Sequence, residues 1–136
     1  MSKAITDKFI EALWKLEEGR DLEPIVAMYA DDCEVGNVVA PEKFHGPDGA
    51  REFWTKYRET FGEIKSTFRN VISTEGHAAL EWTTKGTSTG GSPIEYDGVS
   101  VLEIEGDKLI RFRAYFHAAE LGRQVTNDTA STARAQ

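Results

Sequence analysis

DKLIRFRAYFHAAELG, residues 107–122, is the stretch that decides the fold of this chain. It begins in a Gly106-Asp107 pair, which is typical of a hairpin turn, and its pattern predicts a long strand and then one turn of helix. Strand side chains alternate between two faces. The apolar row is Ile110, Phe112, Ala114 and Phe116, and the polar row is Arg111, Arg113, Tyr115 and His117. The small Ala114 leaves room between two phenylalanine rings, which predicts either a packed core or the floor of a ligand pocket.

Apolar residues at helical spacing predict three helices in the first half of the chain. The predicted helices run from Ser2 to Gly19, from Asp21 to Asp32, and from Gly46 to Gly62. Capping residues and glycines support the ends, and a proline lies in the first turn of the second and third helices. Tyr29 would lie on the buried face of the second helix. A short extended segment, Cys33 to Val39, would connect it to the third.

After Gly62 the apolar period changes from helical to twofold. Besides the last strand, the predicted strands are Glu63–Thr74, His77–Ser88 and Glu95–Glu105. Together these elements predict an α+β fold, with three N-terminal helices packed in the concave face of a curved, mainly antiparallel sheet. Residues 1–122 would form a single domain, and residues 123–136 a polar, flexible tail.

Composition excludes several classes of function. The net charge is −7 and the pI is near 5.0, so nucleic acid is not an expected partner. No apolar run approaches the roughly 20 residues of a membrane span, and the first residues lack an apolar signal region, which predicts a cytoplasmic protein. Cys33 is the single cysteine, and the three histidines do not share a metal-ligand spacing. We therefore expect neither a metal nor a cofactor.

Three stretches carry a resemblance to a known fold. They are GRDLEPIVAMYADDCEV (residues 19–35), FHGPDGAREFW (44–54) and GDKLIRFRAYF (106–116). They resemble the nuclear-transport-factor-2-like cone fold, which includes the SnoaL-like polyketide cyclases and the ketosteroid isomerases, and the resemblance spans roughly residues 5 to 121. It implies a fold but not one activity, because this fold hosts isomerases, dehydratases, cyclases, epoxide hydrolases and non-catalytic dimer modules.

The resemblance can be tested residue by residue. The ketosteroid isomerase pattern has its aspartate base at Asn37, its oxyanion tyrosine near Leu13 and its protonated aspartic acid near Ser100. An amide cannot serve as the base at neutral pH, so that mechanism is disfavoured. Limonene-type epoxide hydrolases have an acid at Ala114 and an Arg and an Asp on the strand at residues 79–84. Those residues are missing here, so that mechanism is disfavoured too.

Three residues are candidates for catalysis. SnoaL-like cyclases often have an aspartate where His117 stands, and a histidine there could act as a base. His117 could equally cap the helix that follows. His45 would lie at a pocket mouth before the third helix, or be an exposed loop residue. Tyr29 could donate to a substrate carbonyl, or be a core tyrosine.

The aromatic residues exceed what a small core needs, and in a cone fold their far layer lines the cavity. The expected ligand-binding residues are Trp14, Asn37, Phe53, Trp54, Tyr57, Phe61, Trp82, Tyr96, Ser100, Phe112, Ala114 and Phe116. Glu81 would be a further acid candidate if it faced inward and a solvated charge if it faced outward. The choice depends on a strand register that the sequence leaves open by one residue.

Two functions are compatible with these residues. The first is a cofactor-free cyclase, isomerase or dehydratase acting on a small hydrophobic or polyketide-like molecule, with Asn37 and Tyr29 orienting the ligand. The second is a non-catalytic ligand-binding or dimerisation module. The resemblance also implies a homodimer through the outer sheet face, where opposite charges could pair across a twofold axis. The residues expected near that face are Lys85, Glu103, Arg111, Arg113 and Tyr115.

Overall fold

The structure, a computed structural model, describes residues 2–39 and 43–125. Its helices are α1 (Ser2–Gly19), α2 (Glu23–Val26) and α3 (Gly46–Glu59). Its strands are β1 (Tyr29–Asn37), β2 (Phe44–His45), β3 (Phe61–Thr74), β4 (His77–Ser88), β5 (Pro93–Glu105) and β6 (Lys108–Phe116). A further helical stretch, residues 118–125, ends the described part of the chain.

The six strands form one curved sheet in the order β2-β1-β6-β5-β4-β3. All neighbours are antiparallel except β1 and β6, which run parallel. The predicted α+β class and the mainly antiparallel sheet are therefore confirmed. The predicted number of N-terminal helices is wrong, because only the long α1 and the single-turn α2 precede the first strand.

The second predicted helix ends early because its last residues form backbone hydrogen bonds with the sheet. The Leu109 amide donates to the Met28 carbonyl at 2.8 Å, and Tyr29 pairs with Leu109 at the start of the parallel ladder. Hydrogen bonds of this kind use backbone groups that a longer helix would require. Tyr29 thus begins β1 instead of lying on a helix, and the predicted short strand starts four residues earlier than expected.

The core lies between α1, α3 and the concave face of the sheet. Fully buried side chains include Phe9 and Leu16 of α1, Val35 of β1 and Leu102 of β5. The end of α1 is held by the buried Arg58 of α3. Its guanidinium donates to three main-chain carbonyls, those of Glu17, Phe61 and Gly62, at 2.9–3.1 Å. These bonds occupy a carbonyl at a helix end, where intrahelical partners are missing.

The long strands and the hairpin turns agree with the predicted pattern. β4 has the predicted bounds, while β3 and β5 each begin two residues earlier than expected. The helix after β6 is longer than one turn, and Gln124 in it exchanges two hydrogen bonds with the Glu95 main chain. Residues 126–136 of the predicted tail lie outside the described residues, so the boundary between domain and tail stays a prediction.

Candidate functional site

A cavity of about 370 Å³ lies between the helices and the concave face of the sheet. Its lining residues are Phe9, Leu13, Asn37, Val39, Phe44, Phe53, Trp54, Lys56, Tyr57, Thr60, Phe61, Ser66, Phe68, Trp82, Thr84, Tyr96, Ser100, Phe112, Ala114, Phe116 and Leu121. Val39, Lys56 and Thr60 are exposed and lie at its mouth. The volume falls in the range of small-molecule sites.

The cavity wall is a continuous set of aromatic rings that pack edge to face. Trp54 lies 4.9 Å from Phe53 and 5.0 Å from Phe112, measured between ring centroids. On the other side, Tyr96 lies 5.3 Å from Trp82 and 5.4 Å from Phe116. Each ring is held by its neighbours in a favourable geometry. The wall is therefore rigid and presents flat apolar surfaces to the space inside.

Small residues form the floor of the cavity. Ala114 of β6 pairs with Ser100 of β5 on one side and with Asn37 of β1 on the other. Because residues directly opposite in neighbouring strands point to the same face, these three side chains form a row under the aromatic wall. The space that Ala114 was expected to leave is thus cavity space.

A buried carboxylate lies behind the lining. Glu17 of α1 is 1% exposed. Its Oε1 accepts the Ser66 amide at 2.8 Å, and its Oε2 accepts the Ser66 hydroxyl at 2.6 Å and the Tyr57 hydroxyl at 2.7 Å. The Ser66 hydroxyl also contacts the Thr84 hydroxyl at 2.7 Å. These bonds offset the cost of burying the carboxylate.

Burial governs the ionisation of the lining tyrosines. It raises the pKa of Tyr57 well above the usual range, and the nearby Glu17 carboxylate acts in the same direction. Burial also raises the pKa of Tyr96, again with a contribution from Glu17. Both hydroxyls therefore stay protonated at neutral pH, because their phenolate forms would be poorly solvated and repelled by the carboxylate.

At the other end of the floor, Ser100 is oriented by an indole. Trp82 Nε1 donates to Ser100 Oγ at 2.9 Å. An indole N–H can only donate, so the serine oxygen is the acceptor and its own proton points elsewhere. Trp82 and Ser100 are both buried and both line the cavity. The cavity thus contains a hydroxyl donor on its floor.

Most of the predicted ligand-binding residues line this cavity. The eleven that do are Asn37, Phe53, Trp54, Tyr57, Phe61, Trp82, Tyr96, Ser100, Phe112, Ala114 and Phe116. Trp14 lies outside it, because its indole nitrogen donates to the Ser66 carbonyl at 2.7 Å and Lys65 Nζ lies 4.1 Å from its ring centroid. Its ring also packs against Phe68, with 6.3 Å between the ring centroids, so these contacts hold Trp14 beside β3 and outside the lining.

The three residues expected to act in catalysis are not brought together. The buried Tyr29 hydroxyl accepts the Trp54 Nε1 proton at 3.0 Å, and burial raises its pKa, so it supports the wall from behind. His45 is exposed and precedes α3. His117 is exposed, and its main-chain carbonyl accepts the amides of Glu120 and Leu121 at the start of the last helix.

Glu81 faces outward, and its neighbour Trp82 faces the cavity. The Glu81 carboxylate accepts Asn70 Nδ2 at 2.6 Å and lies 3.6 Å from Arg69 Nε on the outer side of the sheet. This register settles the two alternatives left open by the sequence. Glu81 is a solvated charge in an ion pair, and the acid near the cavity is Glu17 instead.

Sequence analysis missed Glu17, Ser66 and Thr84. The signal for Glu17 was present, because it follows Phe9 by eight residues and Leu13 by four, which is the spacing of the buried face of α1. A glutamate at a helix end is normally solvated, so the residue type argued against burial although the spacing favoured it. Among the described residues, no group of three or more His, Cys, Asp or Glu side chains could hold a metal ion.

The fold and the cavity define a member of the nuclear-transport-factor-2-like superfamily. A family model described as a SnoaL-like domain matches residues 7–112, which is most of the chain. This chain therefore belongs to the SnoaL-like domain family. A search of curated proteins finds no match. No helix in residues 2–39 or 43–125 is long and apolar enough to cross a bilayer.

Solved structures with the same fold cover nearly all of the chain. A TerC crystal structure obtained with polyporic acid has a TM-score of 0.75 at 20% identity, covering 90% of this chain and 98% of that one. An NTF2-like protein from Anabaena variabilis has a TM-score of 0.80 at 19% identity, covering 88% and 92%. A putative isomerase from Rhodopseudomonas palustris has a TM-score of 0.81 at 15% identity, covering 93% and 99%. At these identities the likeness shows the fold alone.

Proposed function

We propose that this protein binds a small, flat, mainly apolar molecule inside the cavity, without a cofactor. The observation that carries the proposal is the row of small residues, Asn37, Ala114 and Ser100, beneath an aromatic wall. A protein that needed only a core would fill this space, because interiors are normally packed to high density. The polar groups on the lining would orient the ligand within the apolar enclosure.

The chemical nature of the wall supports a ligand with an aromatic or polyketide-like frame. Aromatic rings stack against flat molecules and lose little conformational entropy when they do so. TerC, which shares this fold, was crystallised with polyporic acid. At the mouth, Lys56 Nζ lies 5.3 Å from the Phe44 ring centroid and 3.4 Å from Glu52 Oε1, so a cation stands where a ligand would enter.

Blocking the cavity tests the proposal. The probe is 2-ethylnaphthalene, and its binding to the purified protein is measured by isothermal titration calorimetry. Ala114→Phe should abolish binding, because the added ring fills the floor. Ala4→Phe is the matched control, since Ala4 is exposed on α1. Equal binding by both variants, or no binding by the unmodified protein, would overturn the proposal.

The position of Glu17 favours a second candidate function, a cofactor-free isomerase, cyclase or dehydratase. A substrate C–H bond would break, its proton would pass to Tyr57 Oη, and the Tyr57 proton would move to Glu17 Oε2 along the existing 2.7 Å hydrogen bond. The electron pair would move to the oxygen of the adjacent substrate carbonyl, which gives an enolate until the proton returns. This path uses Tyr57 instead of His45 or His117, since both histidines are exposed and outside the lining.

Proton exchange distinguishes an enzyme from a binding module. The probe is 2-tetralone, an enolisable ketone, incubated with the protein in D₂O, and deuterium incorporation is followed by NMR. An enzyme should accelerate the exchange, and Tyr57→Phe should remove the acceleration. If exchange is no faster than in buffer while 2-ethylnaphthalene binds, the protein is a binding module.

We also propose that the protein forms a homodimer through the outer face of the sheet. Exposed apolar side chains, Ile72, Val99 and Tyr115, lie on β3, β5 and β6. The charged residues expected there already pair within the chain: Arg111 with Glu103 at 2.5 Å, and Arg113 with Glu34 at 3.2 Å. Apolar contact is therefore a better basis for the dimer than charge pairing across the twofold axis.

A further inference from the structure

The hydrogen-bond donors around Glu17 determine what one end of the cavity can recognise. A carboxylate can only accept hydrogen bonds. Arg58, whose Nε donates to the Glu17 main-chain carbonyl at 3.1 Å, provides a nearby positive charge for this group. The single proton of the Tyr57 hydroxyl is therefore directed to Glu17 Oε2, and so is the single proton of the Ser66 hydroxyl.

The same reasoning extends to Thr84. Its hydroxyl lies 2.7 Å from the Ser66 hydroxyl. Because Ser66 already donates its proton to Glu17, Thr84 must be the donor in this pair. Tyr57 and Thr84 both line the cavity, and both have directed their protons away from it. Toward a ligand, the Tyr57 and Thr84 hydroxyls can therefore act only as hydrogen-bond acceptors.

The opposite end of the floor has the reverse polarity. Thr84 pairs with Tyr96, and Ser100 lies four residues further along β5, roughly 13 Å at the usual strand rise. Ser100 accepts from Trp82 and keeps its proton as a donor. The Tyr96 hydroxyl forms no hydrogen bond with a described residue, so it can adapt to either polarity. The cavity is thus divided into an acceptor end and a donor end.

We propose that the acceptor end, formed by Tyr57 and Thr84, binds the hydroxyl group of a phenol or enol, and that Glu17 imposes this preference. The proposal rests on the proposed ligand-binding function and specifies the ligand class. A ligand hydroxyl would donate to Tyr57 Oη or Thr84 Oγ1, whereas an ether or carbonyl oxygen would meet lone pairs there. Leaving such groups unpaired in a buried site costs affinity.

Glu17→Gln should reverse the polarity without removing a hydrogen bond. The amide oxygen can still accept the Ser66 amide proton. The amide nitrogen, in place of Oε2, would donate to the Tyr57 and Ser66 hydroxyls. The Tyr57 proton would then be released toward the cavity, and Tyr57 would become a donor to the ligand. The variant keeps the size and shape of the side chain.

The experiment compares three naphthalenes of similar size: 2-naphthol, which can donate; 2-methoxynaphthalene, which can only accept; and 2-ethylnaphthalene, which can do neither. Affinities are measured by calorimetry at pH 7 for the unmodified protein and for Glu17→Gln. We expect 2-naphthol to bind the unmodified protein about tenfold more tightly than 2-methoxynaphthalene. In Glu17→Gln this ratio should fall to near one, while 2-ethylnaphthalene affinity stays the same.

Further variants keep the test decisive if Glu17→Gln does not fold. Tyr57→Phe and Thr84→Val each remove an acceptor, and each should lower the ratio of the two affinities. Thr83→Val is the matched control, because Thr83 lies on the outer face next to Thr84 and contacts Asp97 there.

The outcomes separate the two proposals. If 2-ethylnaphthalene binds but the unmodified protein shows no preference for 2-naphthol, the polarity inference is wrong and the binding function stands. The same conclusion follows if the preference is unchanged in Glu17→Gln and in the Tyr57 and Thr84 variants. If none of the three compounds binds, the binding function fails and the inference fails with it.

Discussion

The Tyr57 hydroxyl donates to Glu17 Oε2 across 2.7 Å, joining α3 to a carboxylate of α1 that is almost fully buried. The Tyr57 hydroxyl belongs to the cavity lining, and the Glu17 carboxylate lies behind it. The contact therefore couples stability to the chemistry of the cavity. Changing either residue should alter both properties, and the first prediction measures the stability effect.

Tyr57→Phe should lower the free energy of unfolding by about 1–2 kcal/mol, because Glu17 loses one of its three donors while staying buried. The measurement is urea denaturation at pH 7. A loss below the error of the measurement would show that the hydroxyl is unimportant for the fold.

The same variant should change the response to alkaline pH. Burial raises the pKa of Tyr29, Tyr57 and Tyr96, while tyrosines in the unfolded chain ionise near pH 10. The stability contributed by these groups is complete below about pH 10 and is lost as the pH rises toward the native-state pKa. Tyr57→Phe removes one of the three, so its free energy of unfolding should fall less steeply between about pH 10 and 11. Parallel curves for the two proteins would contradict this.

Arg58→Ala should destabilise the protein by about 2–4 kcal/mol, because three main-chain carbonyls lose their donor in a buried environment. Arg51→Ala is the control on the same helix. Arg51 forms two bonds to Glu23, but both side chains are exposed, so its loss should cost far less than the loss of Arg58. Thermal and urea unfolding of both variants provide the comparison. If both variants lost the same free energy of unfolding, burial would not determine how much these hydrogen bonds stabilise the protein.

Gly86→Ala should prevent normal pairing of β3 and β4. A Cβ atom at Gly86 would lie 2.0 Å from the Glu63 main-chain oxygen, and backbone cannot move aside as a side chain can. We expect a loss of at least about 3 kcal/mol in the free energy of unfolding. Gly19→Ala is the control, since nothing lies within 4 Å of its Cβ position, and it should stay within about 0.5 kcal/mol of the unmodified protein.

Val99→Glu should dissociate the proposed homodimer, because it puts a charge in the centre of the outer sheet face. Val38→Glu is the control, since Val38 is also an exposed valine but follows the last residue of β1 and lies outside the six strands. Sedimentation velocity at micromolar concentration gives the mass of each variant. If the unmodified protein is already a monomer, the dimer proposal is wrong.

Local pattern was sufficient for most of the elements. The helical spacing of α1 and α3 and the twofold spacing of β3 to β6 reflect the burial of one face, which each segment encodes in its own residues. The prediction of the second helix was wrong because the strand that competes for its backbone groups, β6, lies far along the chain. Met28 and Tyr29 pair with Leu109, and no spacing within residues 21–32 reveals that strand.

The candidate site divides in the same way. The sequence by itself determined the aromatic faces and the gap at Ala114, because each follows from which face of an element is apolar. The resemblance, and not that pattern, indicated Asn37 and Ser100 beside the gap. Only the tertiary structure decided that Trp14 lies outside the cavity and that Glu81 faces solvent. The tertiary structure also decided that Glu17 accepts hydrogen bonds from Ser66, which lies 49 residues further along the chain. Side-chain partners of this kind depend on how separate elements pack, so the polarity of the cavity is a property of the folded chain.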